Sequence, residues 1–493
     1  MRVIITGLVG QYPFGGVIWD YLQYLLGFRS LGHEVLYLED SGAWPYDPEA
    51  GTITEDCSFA LRSLKKIFSD FGMPEAWVYR NGADGKFHGA GETQARDWLR
   101  HGDLLVNVSS AGWLRDYDLR VGHRMFIDGD PMFCQIGLLD GSDPLYAGRL
   151  RDHDSHFTFG LSVGTPGCPV PTDGIAWKPT VQPVALDQWP VGEPPAKAPW
   201  TTVMNWASYR PKIWKGRPYG QKDLEFEKFT ALPRLTRQKL KIAMGLGVDG
   251  KRPAEKLRAL GWDLVEPQQV VPDHLTYREF LRHSLGEWSV AKHGYVAAQT
   301  GWFSCRSACY LALGRPVVVQ ETGWSRHLPA GQGAVPFQTA EEAGEAIDPE
   351  LPIGGLALVF YGALRGSQGG RHLLGGKAFD QHPRHLRFAP AQPRHSLAMP
   401  VVQMMGDGGR FAVLTVVQSL QTPLPFGHPV PQVQDGADSA FAAPQDGGCI
   451  QSLPINGITM AVLIPFEMQA TGQQVGRQKL EFPRLRAVLQ GLG

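Results

Sequence analysis

The chain has 493 residues, of which 43% are hydrophobic and 19% charged, with a net charge of -1 and an isoelectric point near 6.9. This length and composition predict a globular protein of two or three domains. A nearly neutral chain argues against nucleic acid or an anionic membrane surface as a partner.

The cysteine pattern predicts a reduced cytoplasmic protein without a structural metal. The six cysteines form no CxxC pair and show no metal-ligand spacing. The first residues, MRVIITGLVG, predict a strand rather than a signal peptide. No run of about 18 apolar residues occurs, so no membrane span is expected. The cysteines are Cys57, Cys134, Cys168, Cys305, Cys309 and Cys449.

The chain opens with a pattern typical of a strand–helix–strand unit. Met1–Gly7 predicts a buried strand, and 35–38 predicts a second one that ends at Glu39 and Asp40. Between them, apolar residues recur at helical spacing. These positions are Val17, Ile18, Tyr21, Leu22, Leu25 and Leu26. The glycine-rich turn after the first strand predicts the start of a doubly wound domain.

That turn allows a dinucleotide-binding interpretation and one without a ligand. TGLVGQYP resembles the TGxxGxxG motif of short-chain dehydrogenases and their sugar-epimerase relatives. Pro13 replaces the third glycine and removes one N–H group from a phosphate cradle. The Tyr-x-x-x-Lys pair of those enzymes occurs nowhere in the chain. A dinucleotide cofactor is therefore disfavoured, and a tight turn without a ligand remains an alternative.

Two carboxylates follow a later strand of the first half. Residues 52–72 predict an amphipathic helix, 103–108 predicts a strand, and RMFIDGDPMFCQ predicts another strand that ends at Asp128 and Asp130. Carboxyl ends of parallel strands carry the sites of α/β proteins, so these carboxylates are candidates for binding sugar hydroxyls or for general-base catalysis. The alternative is an Asx turn. We expect 157–163 to be the last strand of this half.

A Pro- and Gly-rich stretch, 166–195, predicts a linker, with the domain boundary between 165 and 200. The second half alternates short apolar runs with helical patterns. Predicted strands lie at 203–206, 240–244, 263–265, 287–290 and 317–319, and predicted helices begin near 221 and cover 254–261, 277–283 and 305–313.

The most informative stretch is 301–323, GWFSCRSACYLALGRPVVVQETG. Ser304 is a good N-cap, Gly314 closes the helix, and the following Val run predicts a buried strand. The N-terminus of this helix suits a phosphate group, which Arg306 in its first turn would also contact. The alternative is a core helix in which Arg306 pairs with Glu287 or Glu321.

This stretch resembles the donor-sugar half of GT-B glycosyltransferases, and GWFSCRSACYLALGRPVVVQETGWSRHLP resembles a group of bacterial glycosyltransferases of that fold. The resemblance covers about residues 1–345. It implies an α/β fold of two Rossmann-like domains that face a cleft. The implied parts are an acceptor-side domain at 1–165, a linker at 166–200 and a donor-binding domain at 201–347.

The resemblance also implies roles for named residues in transfer of a sugar from a nucleotide-sugar donor to an unknown acceptor. The acceptor-side loop would contain Gly7, Gly10, Gly15 and Gly16. The donor diphosphate would contact Ser304, Arg306, Ser307, Lys222, Arg217 and Lys292, while Asp128 or Asp130 would act on the acceptor hydroxyl. No cofactor or metal is required, because the helix dipole and basic side chains can stabilise the leaving diphosphate.

The sequence departs from the family pattern at one point. Many retaining GT-B enzymes carry two glutamates eight positions apart, and the matching positions here are Gly301 and Cys309. Retention or inversion, the donor and catalytic activity itself are therefore left open. The alternatives are a nucleotide-sugar-binding protein without turnover and a nucleotide-sugar epimerase or reductase.

The composition changes near residue 348. From Leu351 onward the chain has no Trp and a single tyrosine, Tyr361, and it is rich in Gly, Pro, Gln and His. The segment 348–493 is therefore predicted to be a disordered tail, an unrelated fusion or the product of a reading-frame error. AMPVVQMMGDGGRFAVLTVVQSL is its best candidate for order.

Overall fold

A computed structural model describes residues 1–113, 117–141, 144–331, 333–348, 400–407, 410–419, 449–455 and 458–464. Its strands are β1 (Arg2–Thr6), β2 (Glu34–Glu39), β3 (Tyr46–Asp47), β4 (Thr52–Ile53), β5 (Trp77–Arg80), β6 (Phe87–Gly89), β7 (Leu104–Val108), β8 (His123–Asp128), β9 (Ser155–Thr158), β10 (Trp177–Pro179), β11 (Trp200–Asn205), β12 (Lys212–Trp214), β13 (Arg217–Tyr219), β14 (Leu240–Gly245), β15 (Asp263–Val265), β16 (Gly286–Ser289), β17 (Val317–Gln320), β18 (Ala334–Phe337), β19 (Pro400–Asp407), β20 (Arg410–Ser419), β21 (Cys449–Ile455) and β22 (Ile458–Ile464).

The helices are α1 (Gly15–Ser30), α2 (Ser58–Asp70), α3 (Gly91–His101), α4 (Phe133–Leu139), α5 (Pro144–Arg151), α6 (Lys222–Phe226), α7 (Ala254–Ala259), α8 (Pro267–Val270), α9 (His274–Arg282), α10 (His293–Ala298), α11 (Cys305–Ala312) and α12 (Ala340–Ile347). Short 3-10 turns cover Leu186–Gln188, Glu227–Phe229, Leu232–Arg234 and Trp324–Arg326. In this part of the chain, no helix combines the length and the apolar composition that a membrane crossing needs.

The first sheet has eight strands in the order β10-β9-β8-β7-β1-β2-β5-β6. All neighbours are parallel except β5 and β6. The chain first builds outward from β1 through β2 and β5, and then returns to the other side of β1 with β7. The strand order therefore reverses between β1 and β7, which makes this edge a topological switch point.

The second sheet has six parallel strands in the order β15-β14-β11-β16-β17-β18. From β11 the chain adds β14 and β15 on one side, and then returns to place β16 on the other side. The switch point of this sheet lies between β11 and β16. The model thus confirms an α/β fold with parallel sheets, while the predicted domain boundaries stay a prediction.

Helix α1 joins the two sheets, because it packs against α9 of the second half. The indole Nε1 of Trp19 donates to the carbonyl of His274 at 2.8 Å. One buried apolar cluster contains residues of both halves, including Ile5, Leu281 and Val319. Burial of this shared surface provides the main hydrophobic stabilisation of the contact.

The helix–glycine–strand unit predicted at 301–323 is confirmed, and Gly314 has the positive φ of 74° that a helix end favours. The strand predicted at 157–163 is wrong beyond Thr158. Residues after it turn back, with the N–H of Val163 donating to the carbonyl of Gly160 at 2.9 Å. The β12–β13 hairpin and α10 were not predicted.

The predicted linker contains ordered elements. Its strand β10 pairs with β9 and extends the first sheet. Trp189 is fully buried, and its ring centroid lies 4.6 Å from that of Trp19. The stretch therefore contributes to the core of the first half.

The segment predicted as a tail contains a separate four-stranded antiparallel sheet, in the order β19-β20-β22-β21. Its first two strands fall within the stretch predicted to be the best candidate for order. The rest of 349–493 lies outside the described residues, and the predictions for it stay predictions.

Candidate functional site

The candidate site lies at the switch point of the second sheet, at the carboxyl ends of β11 and β16. The helices α6, α10 and α11 begin beside these strand ends. The N–H groups of His293 and Gly294 donate to the carbonyls of Gln221 and Gly220, at 3.2 and 3.1 Å. These bonds hold the start of α10 against the start of α6. Crevices of this kind are the usual ligand sites of open α/β sheets.

The start of α11 is held over the sheet by Arg306. Its Nε donates to the Glu287 carboxylate of β16, and its Nη1 donates to the carbonyl of Val203 at 2.6 Å. Arg306 is 8% exposed and Glu287 is fully buried. The structure therefore shows the Glu287 pairing that the sequence left as the alternative, while a diphosphate contact of Arg306 stays a prediction.

The first turn of α11 also contains two serines from the predicted donor site. Ser304 caps the helix, because its hydroxyl accepts from the N–H of Arg306 at 3.2 Å. The hydroxyl of Ser307 is fully buried and has no hydrogen-bond partner among the residues that the structure describes. An unsatisfied buried hydroxyl is costly, and a polar ligand group at this helix start would give it a hydrogen-bond partner.

Lys222 is the unpaired cation of the site. In the described part of the chain, its ammonium group has no hydrogen bond and no ion pair, although the residue is partly buried. Burial and the nearby charges of Arg306 and Lys292 lower the pKa of Lys222 to about 7. An anion bound here would reverse this electrostatic penalty.

Lys292 and Asp130 meet across the two sheets. The ammonium of Lys292 donates to both carboxylate oxygens of Asp130, at 2.9 Å each, and to the hydroxyl of Tyr209 at 3.0 Å. The hydroxyls of Tyr209 and Tyr295 also donate to Asp130. The ring of Phe133 lies 5.3 Å from the same ammonium. Lys292, predicted to contact the donor, and Asp130, predicted to act on the acceptor, thus belong to one polar cluster.

Asp128 fixes the turn that presents Asp130. Its carboxylate accepts from the side chains of Gln135 and Thr158, at 2.8 and 2.7 Å, and from the N–H of Asp130 at 2.8 Å. The side chain is 1% exposed, and burial raises its pKa to about 6. This environment corresponds to the Asx-turn alternative, and a catalytic role for Asp128 stays a prediction.

The remaining predicted donor contact, Arg217, lies on the exposed β13 strand of a two-stranded hairpin. No contact joins it to Lys222 or Arg306 in the described residues. Its role in diphosphate binding is the least supported of the set and stays a prediction.

The predicted acceptor-side glycines have clear packing roles. A Cβ at Gly7 would lie 2.5 Å from the ring of Tyr37 and at Gly15 2.4 Å from the carbonyl oxygen of Asp273. Gly10 and Gly16 are in similar contact with the side chains of Tyr79 and Tyr277. Close approach explains these glycines, and their proximity to an acceptor stays a prediction.

The loop after β1 is closed by an internal carboxylate. Glu39 accepts from the N–H groups of Gly10 and Gln11, at 2.7 and 2.6 Å, and from the hydroxyl of Tyr37 at 2.6 Å. Glu39 is fully buried, and burial raises its pKa to about 7. These N–H groups are therefore already occupied, which disfavours the dinucleotide interpretation of this turn.

Asp20 was missed by the sequence analysis. It lies on α1, faces the start of α11 and accepts from the Cys305 thiol at 2.7 Å. Burial raises its pKa to about 6, against the opposing effect of Arg306. The signal was available, because Asp20 is the single acidic residue of α1.

The described residues contain no group of three or more His, Cys, Asp or Glu side chains that could hold a metal ion. The site holds three cationic side chains. Arg306 is paired with Glu287 and Lys292 with Asp130, whereas Lys222 makes no ion pair among the described residues. Asp20 lies beside the start of α11 through its contact with Cys305.

No protein-family model matches the chain, and no curated protein matches its sequence. Among solved structures, it is similar to an alpha-glucosyltransferase in complex with UDP and a 13-mer DNA containing a HMU base, with a TM-score of 0.37, 12% identity and coverage of 68% of this chain and 81% of that chain. The glycotransferase of kitacinnamycin gives a TM-score of 0.30 and 12% identity, with coverage of 73% and 94%. These structural neighbours are glycosyltransferases, and a likeness this weak assigns neither a family nor a substrate.

Proposed function

We propose that the chain is a glycosyltransferase that binds a nucleotide-sugar donor through its diphosphate at the second switch point. The observation that carries this proposal is Lys222, a partly buried cation that forms no ion pair among the described residues and lies near Arg306 and Lys292. An isolated buried charge is unfavourable unless something pairs with it. A diphosphate would supply that charge and would also satisfy the orphaned hydroxyl of Ser307.

The acceptor hydroxyl would be activated by a carboxylate, and Asp20 is the best candidate. Asp128 is enclosed by three hydrogen bonds, and Asp130 is held by Lys292 and two tyrosines. Asp20 makes one side-chain hydrogen bond, with the Cys305 thiol, and lies near the charge of Arg306. In the transfer, the acceptor oxygen forms a bond to the sugar carbon, the bond to the diphosphate breaks, and the acceptor proton passes to Asp20. The leaving diphosphate keeps the electron pair of the broken bond, and the ammonium of Lys222 stabilises its negative charge.

The same residues support a second candidate function, a nucleotide-sugar-binding protein without turnover. The engagement of Asp128 and Asp130 in internal hydrogen bonds favours it, since neither of the predicted catalytic carboxylates is free. Release of nucleoside diphosphate from any nucleotide sugar, lost in Asp20→Asn, would exclude this alternative. The domain boundaries, the absence of a nucleic-acid partner and the cytoplasmic location remain part of the proposal.

The test is titration of the protein with UDP, GDP, ADP and TDP by calorimetry. At least one should bind, and Lys222→Met should weaken it about tenfold to a hundredfold, because a hydrogen bond to a charged group is lost. The melting temperature should not fall, because Lys222 makes no internal contact. Lys251→Met, at an exposed position of the same half, is the matched control. Failure of all four diphosphates to bind would contradict the proposal.

A further inference from the structure

A cavity lies at the other switch point, on the first sheet. It lies at the carboxyl ends of β7 and β8, and its wall includes Asn107, Ser110 and Trp113. The side chain of Asn107 contacts β1, because its Oδ1 accepts from the hydroxyl of Thr6 at 2.9 Å. The cavity therefore occupies the position where an open α/β sheet places a ligand.

The backbone at the rim of this cavity is strained. Ser109 and Ser110 both have positive φ, 55° and 61°, although neither is a glycine. Each such residue costs roughly 1–2 kcal/mol, and strain of this kind concentrates at functional sites. The loop is held in place because the N–H of Ser109 donates to the carbonyl of Ile127 at 2.8 Å. This observation is independent of the cavity and points to the same loop.

The deep wall of the cavity is neutral and already hydrogen-bonded. His153 has its pKa lowered to about 4 by burial, so its ring is uncharged at neutral pH. The ring nitrogens contact the carbonyl of Leu150 and the amide of Asn107, both at 3.1 Å. The Oδ1 of Asn107 also accepts from the N–H of Gly112 at 3.0 Å. A ligand thus finds little unpaired charge in this wall.

The remaining wall is aromatic. Trp113, Phe126 and Tyr146 line the cavity, with no Asp or Glu among the lining residues that the structure describes. The single cation, Arg149, lies over the indole of Trp113, 4.7 Å from its centroid, and has further partners of its own. Flat apolar walls with serine hydroxyls at the rim match a ring compound that carries a hydroxyl group.

We propose that this cavity binds an uncharged ring compound bearing a hydroxyl group. This compound would be the acceptor of the glycosyl transfer, and this role rests on the proposed function. The rim borders the Asp130 cluster, because a Cβ at Gly129 would lie 2.4 Å from the Ser109 hydroxyl. The polar crevice of the second sheet and the aromatic cavity of the first would then receive the two substrates.

The experiment compares three probes by saturation-transfer NMR on the full chain: 2-naphthol, the anion 2-naphthoate and the polyol methyl glucoside. We expect 2-naphthol to bind most tightly. Ser41→Trp, which fills the rim, and Trp113→Leu, which removes the largest aromatic wall, should each weaken it at least about tenfold. Ser69→Trp, at an exposed position on α2, is the control for an added indole and should leave binding unchanged.

Each outcome separates this proposal from the proposed function. Binding of 2-naphthol that survives both Ser41→Trp and Trp113→Leu, in variants that keep the wild-type melting temperature, would overturn the cavity assignment. Preference for 2-naphthoate or for methyl glucoside would overturn the ligand class. If the two variants lose 2-naphthol binding but keep the wild-type affinity for nucleoside diphosphate, the result would support the proposal. If no diphosphate binds the wild type while 2-naphthol does, the glycosyltransferase proposal fails and the cavity assignment stands.

Discussion

The two switch points follow the same rule of topology and differ in their electrostatics. In the first sheet, the loop after β1 directs the N–H groups of Gly10 and Gln11 at an internal carboxylate, Glu39. In the second sheet, Lys222 forms no ion pair with a carboxylate among the described residues, although Glu287 lies near enough to act on its charge. A glycine-rich turn is therefore not by itself an anion site, because the protein can supply the anion. An unpaired cation at a strand end is the more specific signal.

The two regions also show different uses of an ion pair. Arg306 and Glu287 form a buried pair that secures α11 to β16, whereas Lys222 beside them forms no ion pair among the described residues. Burying a pair of charges contributes little net stability, yet removing one partner is strongly destabilising. We therefore expect substitution of Arg306 to lower the stability of the protein. Substitution of Lys222 should instead lower the affinity for diphosphate and leave the stability unchanged.

The largest effect is expected from Arg306→Met, which leaves the buried Glu287 carboxylate without its partner. We expect the free energy of unfolding to fall by about 3 to 5 kcal/mol. Urea denaturation followed by circular dichroism measures this loss. Arg326→Met, at an exposed position, is the control and should change it by less than about 0.5 kcal/mol. An unchanged unfolding free energy in Arg306→Met would show that Arg306 is available to a ligand instead.

The next effect concerns Glu39→Gln in the closed loop. An amide NH₂ group would face N–H groups that can only donate, and each group left unsatisfied costs about 1 to 3 kcal/mol. Urea titrations at pH 8, where the wild-type carboxylate is ionised, should show this loss. Glu34→Gln, at the exposed start of the same strand, is the matched control. If Glu39→Gln instead gains affinity for phosphate without losing stability, the loop is an anion site that Glu39 keeps closed.

The sequence predicted the local units well and their assembly only in part. Alternating apolar runs and glycines were sufficient for β1, α1, α11 and β17, because these signals are local. The pair of Arg306 and Glu287 joins the helix α11 to the strand β16. Spacing along the sequence therefore could not decide between Glu287 and Glu321 as the partner of Arg306. Asp20 and Cys305 are 285 positions apart, and only the packing of α1 on the second half brings them together.

A smaller effect is expected at the contact between the two halves. In Gly15→Ala, the added methyl group would meet the carbonyl oxygen of Asp273 at 2.4 Å and force α1 away from α9. Such overpacking costs about 1 to 3 kcal/mol. Gly27→Ala, in the same helix with nothing within 4 Å, should stabilise by about 0.5 to 1 kcal/mol. Thermal melts of both variants measure the difference, and equal melting temperatures would contradict the close contact.

The smallest effect is the pH dependence of diphosphate binding. The pKa of Lys222 is lowered to about 7 in the free protein, so its charge is lost as pH rises through 7. A bound diphosphate favours the charged form, and binding above pH 7 must therefore take up a proton. The affinity should fall between pH 7 and pH 8 by at most about tenfold, the limit for one proton per pH unit. Calorimetry in buffers of different ionisation enthalpy measures the proton uptake directly.

Lys222→Arg is the control for this last prediction, because a guanidinium keeps its charge throughout the range. It should bind diphosphate without proton uptake, although any titration of the diphosphate itself would remain in both proteins. The free energy of unfolding of the free protein changes with pH in the opposite direction to the affinity for diphosphate. Lys222 is protonated in the unfolded chain up to about pH 10, so its contribution to the unfolding free energy rises as pH increases above 7. If wild type and Lys222→Arg take up the same number of protons, Lys222 is not part of the diphosphate site. The switch point of the second sheet would then be no more specific for anions than that of the first.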